Sequence, residues 1–188
     1  SPDIDVMLSS DLPSLPEVKE RYDITFDEYS IFMYHPVTTE YPFLADKIRK
    51  VVSALIDSGK NYVVIYPNND LGSELILDEY NRLKDNNSFA IYPSLRFEAF
   101  LTLLKNAEFM IGNSSAGVRE TSIYGIPAID IGTRQRGRYS LEDSNIQNVQ
   151  EDEAEIRAAI LKYKEYRKIN HVYGKGNSTE KFIEIMKD

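Results

Sequence analysis

Apolar and polar positions along this chain follow two alternating rhythms. Short runs rich in branched and aromatic residues stand at 30–34 (SIFMY), 62–66 (YVVIY), 89–92 (FAIY), 108–111 (EFMI) and 127–131 (PAIDI). Between them, 43–56, 73–85 and 97–105 place apolar residues at helical spacing. Strands that alternate with helices of this length predict a parallel sheet with crossover helices. The near-continuous apolar character of the strands fits burial on both faces. Two more helices are expected to close the chain, at 153–168 and 179–186, the second capped by Ser178.

The first 28 residues break the rhythm. They hold Pro2, Pro13 and Pro16 and lack strand–helix alternation, so they are expected to form a connecting arm. The domain proper is then 29–188, a Rossmann-like doubly wound α/β unit. An arm leading into a complete unit of this kind suggests a chain that starts partway through something larger.

Composition narrows the function. With 188 residues, 42% of them hydrophobic, the chain can bury the core of one domain. Twenty-two basic residues against 30 acidic ones give a net charge of −8. That balance argues against a nucleic-acid footprint or a general affinity for anionic membranes. Any anion site must therefore be a local concentration of donors. Zero cysteines exclude disulfides, thiolate nucleophiles and sulfur-ligated metals. No apolar run approaches the roughly 18 residues of a spanning helix, and no signal peptide opens the chain. A soluble cytoplasmic protein is the default expectation.

The stretch MIGNSSAGVRETSIYGIPAIDIGTRQRGR, residues 110–138, concentrates the candidate chemistry. Gly112 permits a sharp exit from the preceding strand. Ser114 or Ser115 then caps a helix through AGVRETSIYG, with Gly125 as its stop and Pro127 beyond. Plain capping accounts for the serines. Equally, amides and two hydroxyls at a helix start suit a phosphate, outside the carboxyl ends of parallel strands where open α/β sheets bind ligands. Neither GxGxxG nor GxxxxGK[ST] is present. Glu120, about one and a half turns into the expected helix, could accept hydrogen bonds from a ribose diol or pair with a neighbouring cation. Arg134, Arg136 and Arg138 crowd three forks suited to phosphate into five residues, where they repel one another unless something anionic sits between them.

Two further loops follow strand ends on the same edge. His35 directly follows the first strand and precedes Pro36, which discourages immediate helix formation. Asn68 and Asp70 lie in PNND after the second strand, as directed polar groups or as plain turn chemistry. His171 is expected at the surface.

Taken in order, HPVTT, YPNND, MIGNSSAGVRE, YGIPAIDIGTRQRGR and YGKGNSTEKF closely resemble the hydrolysing UDP-N-acetylglucosamine 2-epimerases. The match runs from about residue 29 to the C-terminus, and the arm resembles that family's interdomain region. The resemblance implies the C-terminal, nucleotide-holding half of a GT-B fold, whose N-terminal partner domain lies outside this chain. It implies that Ser114 and Ser115 hold the diphosphate and Glu120 the ribose hydroxyls. Asn68 and Asp70 would lie around the nucleotide or sugar, and Tyr92 where backbone groups recognise uracil. Arg134 would be a cleft arginine, and His35 a catalytic histidine near the reacting sugar and phosphate. Pro36-Val37-Thr38-Thr39 replaces the Arg-Arg-Glu-Asn of the non-hydrolysing branch and favours the hydrolysing one.

The implied substrate is UDP-GlcNAc or a related UDP-sugar, converted to UDP and N-acetylmannosamine for sialic-acid-type biosynthesis. Neither cofactor nor metal is implied, and a homo-oligomer is expected at full length. The proton-transferring carboxylates would sit on the N-terminal domain, leaving this chain alone inactive. Two other readings stay open: the donor half of a GT-B glycosyltransferase, which GTRQRGR disfavours, and a stand-alone α/β binding module.

Overall fold

The structure, a computed structural model, describes residues 2–142, 144–174 and 186. All five expected strands form, as β1 (Ser30–Met33), β2 (Tyr62–Ile65), β3 (Phe89–Tyr92), β4 (Met110–Gly112) and β5 (Ala128–Ile131). A sixth, β6 (Ile146–Val149), is not anticipated by the apolar pattern. Its sequence, IQNV, has no apolar run because it is an edge strand exposing Asn148. All neighbouring strands are parallel, in the order β3-β2-β1-β4-β5-β6. This is the doubly wound Rossmann-like order, reversing direction between β1 and β4.

Alternate residues of the strands feed two cores. Phe32, Val64, Ile111 and Ile129 point into one face, covered by α3 (Tyr41–Asp57), α4 (Ser73–Tyr80) and α7 (Glu153–Lys162). Ile31, Val63, Ile65 and Met110 point into the other, covered by α5 (Phe97–Lys105) and α6 (Glu120–Tyr124). Two helices of the opening segment, α1 (Pro2–Met7) and α2 (Leu15–Arg21), join this second face through Ile4, Met7 and Val18. The segment expected as a connecting arm thus carries two short helices. Pro16 sits in the first turn of α2, where a missing N–H costs nothing. Ser14 and Glu17 close a capping box around that turn, with Glu17 Oε2 accepting the Ser14 N–H at 2.8 Å.

Several ends shift. The helix expected over 73–85 gives way at Asn81 to a 3-10 turn, and that over 153–168 does so at Tyr163. The helix expected from Ser114 divides into a 3-10 turn, Ser115–Gly117, and the five-residue α6. Gly125 ends it in the left-handed conformation, as anticipated. The expected helix at 179–186 and its cap Ser178 lie outside the described residues. No described helix is long and apolar enough to cross a membrane.

Candidate functional site

Loops from the carboxyl ends of β1, β2, β4 and β5 meet where the strand order reverses. Gly112 makes the meeting possible. Its φ is +132°, and a Cβ there would stand 2.0 Å from the Met33 carbonyl oxygen. With no side chain in the way, Asn113 follows directly and donates its N–H to that same oxygen at 3.1 Å.

Asn113 is buried and clamps the β1 loop. Its Oδ1 accepts the His35 N–H at 2.6 Å, and its Nδ2 donates to the His35 carbonyl at 2.8 Å. Its own carbonyl accepts from Gln135 Nε2 at 2.7 Å and from Arg134 Nη1 at 3.4 Å. One asparagine therefore ties together the loops of β1, β4 and β5. Sequence reasoning singles out neither Asn113 nor the buried Gln135. Their signal is position alone: an asparagine at a strand exit before two serines, and a glutamine between arginines.

His35 sits at the centre. Its Nδ1 accepts the backbone N–H of Asn68 at 3.0 Å, which leaves Nε2 to carry the ring proton as a donor. Burial first, then the Arg134 guanidinium, pushes its pKa down to about 4, against smaller opposing effects of Asn68 and Asp70. The ring is neutral at pH 7. Arg134 is itself half-buried, and burial, then Arg138, lowers its pKa while Asp70 acts the other way. An anion entering between Arg134 and Arg138 relieves that repulsion. The Asn68 side chain donates to Asp70, closing the β2 loop on itself. His35, Asn68, Asp70 and Arg134 thus form one electrostatic cluster.

Beside it opens an apolar cleft of about 360 Å³, lined by Met33, His35, Asn68, Pro93, Leu95 and Phe97 among others. Tyr92, by contrast, directs its side chain away: its hydroxyl donates to the Tyr22 carbonyl at 2.6 Å, and its carbonyl accepts the Tyr66 N–H at 3.0 Å. The residues that follow it, Pro93–Leu95, reach the cleft instead.

Ser114 caps the 3-10 turn, its hydroxyl accepting the Ala116 N–H at 3.3 Å. The amides of Gly117, Val118 and Arg119 bond to the carbonyls of Ser114 and Ser115 within the turn. With a short α6 behind it, this turn offers hydroxyls to an anion more than the row of free helix amides expected from sequence. Ser115 lines a second hollow of about 250 Å³ with Arg119, Gln135, Arg138 and Tyr173. Glu120 opens α6 rather than lying in its second turn. It is half-buried near Tyr124, whose pKa burial, then the Glu120 charge, raises to about 12. Arg136 is exposed, as is His171, the latter as expected. Among the described residues, no group of three or more His, Cys, Asp or Glu could hold a metal ion.

Residues 1–187 match the UDP-N-acetylglucosamine 2-epimerase family. A UDP-N-acetylglucosamine 2-epimerase of Neisseria meningitidis serogroup B is 53% identical over 139 residues, 74% of this chain and 37% of that protein. The hydrolyzing UDP-N,N'-diacetylbacillosamine 2-epimerase of Legionella pneumophila is 25% identical over 190 residues, covering 100% of this chain and 50% of that one. The chain thus spans half or less of the length of these relatives. Among solved structures, a Neisseria meningitidis UDP-GlcNAc 2-epimerase bound to UDP-GlcNAc superposes with a TM-score of 0.74 at 13% identity, over 92% of this chain and 49% of that one. At that identity the shared feature is the fold.

Proposed function

Since the chain belongs to the UDP-N-acetylglucosamine 2-epimerase family, we propose that it is the nucleotide-holding half of a hydrolysing member. That enzyme would take UDP-GlcNAc or a related UDP-sugar to UDP and free N-acetylmannosamine, feeding synthesis of sialic-acid-type sugars. The observation that carries the reading is the cluster at the strand-order reversal, where neutral His35 lines an apolar cleft and cationic Arg134, held on the Asn113 carbonyl, acts on that histidine. In the chemistry proposed, the C2 proton is removed as the C1–O bond to UDP breaks, leaving a 2-acetamidoglycal. Water then adds across the double bond, with a proton delivered to C2 on the opposite face.

Arg134 would offset the charge of the departing diphosphate and the Ser114 and Ser115 hydroxyls would hydrogen-bond to it, the larger electrostatic task in such a step. His35 would offer Nε2–H to a phosphate or sugar oxygen. Glu120 would hold the ribose, and Asn68 with Asp70 the sugar side. The base would lie along the apolar cleft past Pro93–Leu95. Supporting the hydrolysing branch are the HPVTT sequence after β1 and the hydrolyzing activity of the Legionella relative. The carboxylates that move protons at C2 would come from the other half of the full-length enzyme.

The test is an assay of the full-length protein with UDP-GlcNAc, following UDP and free sugar together. Release of UDP with free N-acetylmannosamine is expected. Interconversion to UDP-N-acetylmannosamine without UDP release would overturn the hydrolysing assignment, and sugar transfer to an acceptor would overturn the epimerase one.

A further inference from the structure

Behind the cleft lies an ionic cluster whose members are not among the residues assigned to the ligand, yet which is attached to two of them. Glu151, just past β6, is only 8% exposed. Its Oε1 accepts from the Tyr34 hydroxyl at 3.0 Å and from Lys47 Nζ at 3.2 Å. Lys47, on α3, also pairs with Glu40. The second oxygen of Glu40 accepts from the Thr133 hydroxyl at 2.6 Å. These bonds hold Glu40 below the usual carboxylate range, the Lys47 hydrogen bond first and that of Thr133 second.

The Glu151 side chain is 5% exposed and those of Glu40 and Lys47 each 23%, and a buried carboxylate held by a half-buried ammonium is an inefficient way to stabilise a fold. Desolvation offsets much of the attraction, and an apolar trio of like volume often does as well. Placement gives the cluster another meaning. Tyr34 immediately precedes His35, and Thr133 immediately precedes Arg134. On the cleft side, the same two loops are joined through Asn113, which holds the His35 backbone and accepts from Arg134 and Gln135. Front and back ties together close a circuit. It runs from His35 through Asn113 to Arg134, then by way of Thr133, Glu40, Lys47 and Glu151 to Tyr34 and back to His35. Gly132 is shaped to it as well. Its φ is +79°, and a Cβ there would meet Glu151 Oε1 at 2.5 Å.

We propose that Glu40, Lys47 and Glu151 are positioning residues that fix the separation and orientation of His35 and Arg134. The proposal rests on reading that cleft as the UDP-sugar site. His35 is held at its own peptide and through Tyr34 before it, and Arg134 through Thr133 and Gln135 on either side; groups tied in this way lose little further freedom on binding, so the circuit preorganises the anion contacts. Cutting it at any link loosens both residues together, which a merely local packing role would not do.

The experiment compares the parent chain with Tyr34→Phe, Lys47→Met, Glu151→Gln and the Lys47→Met/Glu151→Gln double variant, all at a temperature where circular dichroism finds them folded. Two readouts are taken: the ligand-free NMR resonances of His35 Cε1–H and Arg134 Nε–H, and UDP affinity by calorimetry. Both resonances are expected to move in every variant. UDP affinity is expected to fall about three- to tenfold in the single charge variants, with the double variant no worse than the poorer single. A lowered Tm with unchanged resonances and unchanged affinity overturns the proposal. If the parent itself fails to bind UDP, the nucleotide reading falls and the ligand-free resonances alone decide the positioning claim. Should a charge variant not fold, Tyr34→Phe, which removes a single oxygen, decides between the two outcomes.

Discussion

Asn113 holds the His35 peptide from both sides, accepting its N–H at 2.6 Å and donating to its carbonyl at 2.8 Å. A side-chain amide carries an acceptor oxygen and a donor NH2 side by side, so this one group makes both bonds. The clamp spans the gap between β1 and β4, where the sheet changes direction. It takes the place of a strand-to-strand hydrogen bond at the point where the ladder ends.

Asn113→Asp keeps the shape and tests the clamp directly. The carboxylate can still accept the His35 N–H, but it faces the His35 carbonyl with a charge and no donor. Because Asn113 is 1% exposed, the loss is expected to be about 2–4 kcal/mol of stability, combining an unsatisfied carbonyl with a buried charge. Urea unfolding measures it. A change below about 0.5 kcal/mol, the range of ordinary surface substitutions, would show that the clamp contributes little.

His35 predicts the acid side of the stability profile. Its folded pKa, about 4, lies below the ordinary 6.5. Between those values the unfolded chain takes up a proton that the folded chain refuses. Stability is therefore fully present above about pH 6.5 and falls as pH drops toward 4, with an upper bound of about 3 kcal/mol from this group. Carboxylates such as Glu40 and Glu108, held low in the fold, also lose stability in acid. His35→Gln isolates the histidine, since the amide oxygen can still accept the Asn68 N–H. Its unfolding free energy should depend less on pH between 4 and 6.5 than the parent's. Parallel profiles would mean that His35 titrates normally.

Gly112 and Gly117 give a matched pair. Alanine at 112 would drive a methyl to 2.0 Å from the Met33 oxygen and demand a φ of +132° that alanine avoids. A loss of about 3 kcal/mol or more is expected, reaching failure to fold. At 117 a methyl meets nothing within 4 Å, so Gly117→Ala should change stability by about 1 kcal/mol or less. Comparable Tm values for the two variants would mean that the β4 exit is looser than this geometry.

Most of the fold is legible in the sequence because its signal is local. Phe32, Val64, Ile111 and Ile129 sit in apolar runs that only a strand buried on both faces needs. β6 escapes because IQNV at an edge needs no such run. The opening helices escape because Pro16 reads as a breaker although it stands at a helix start, inside a Ser14–Glu17 box that is itself readable. In the site, His35 and Arg134 are marked by unusual neighbours in sequence. Asn113, Gln135 and Glu151 are not, since their roles depend on partners 21 to 117 positions away. The Tyr92 side chain shows the limit from the other direction: a motif position fixes where the backbone runs, while Tyr22 decides where the ring goes.

Glu120→Gln tests the proposed ribose role of Glu120 against a structural one in the full-length protein. The amide keeps the size of the side chain but accepts more weakly than a carboxylate. The expected result is a raised KM for UDP-GlcNAc with Tm unchanged within about 2 °C, which for a domain of this size corresponds to less than 1 kcal/mol. If the main effect is on Tm instead, Glu120 serves the packing around Tyr124 and the ribose role is wrong.

The 188-residue chain by itself is expected to bind UDP weakly and to turn over no UDP-GlcNAc. Binding should weaken with salt, because Arg134 and its neighbours would act on the diphosphate from a partly open surface. Turnover needs one group to take the C2 proton and another to return a proton on the opposite face while UDP departs. His35 is neutral, its Nδ1 is already occupied by the Asn68 N–H, and its Nε2 is a donor. It can steady an oxygen but cannot serve as the base in that state, and it would face the sugar from one side only. Water exclusion and orientation within a closed cleft contribute several kcal/mol to lowering such barriers, and an open half-site forgoes most of that. Incubating the purified chain with UDP-GlcNAc and following UDP and free sugar checks the point. Rates approaching those of the full-length enzyme would place the proton-transferring groups within these residues and overturn the division of labour. Activity that appears only when the remaining half is restored would support it.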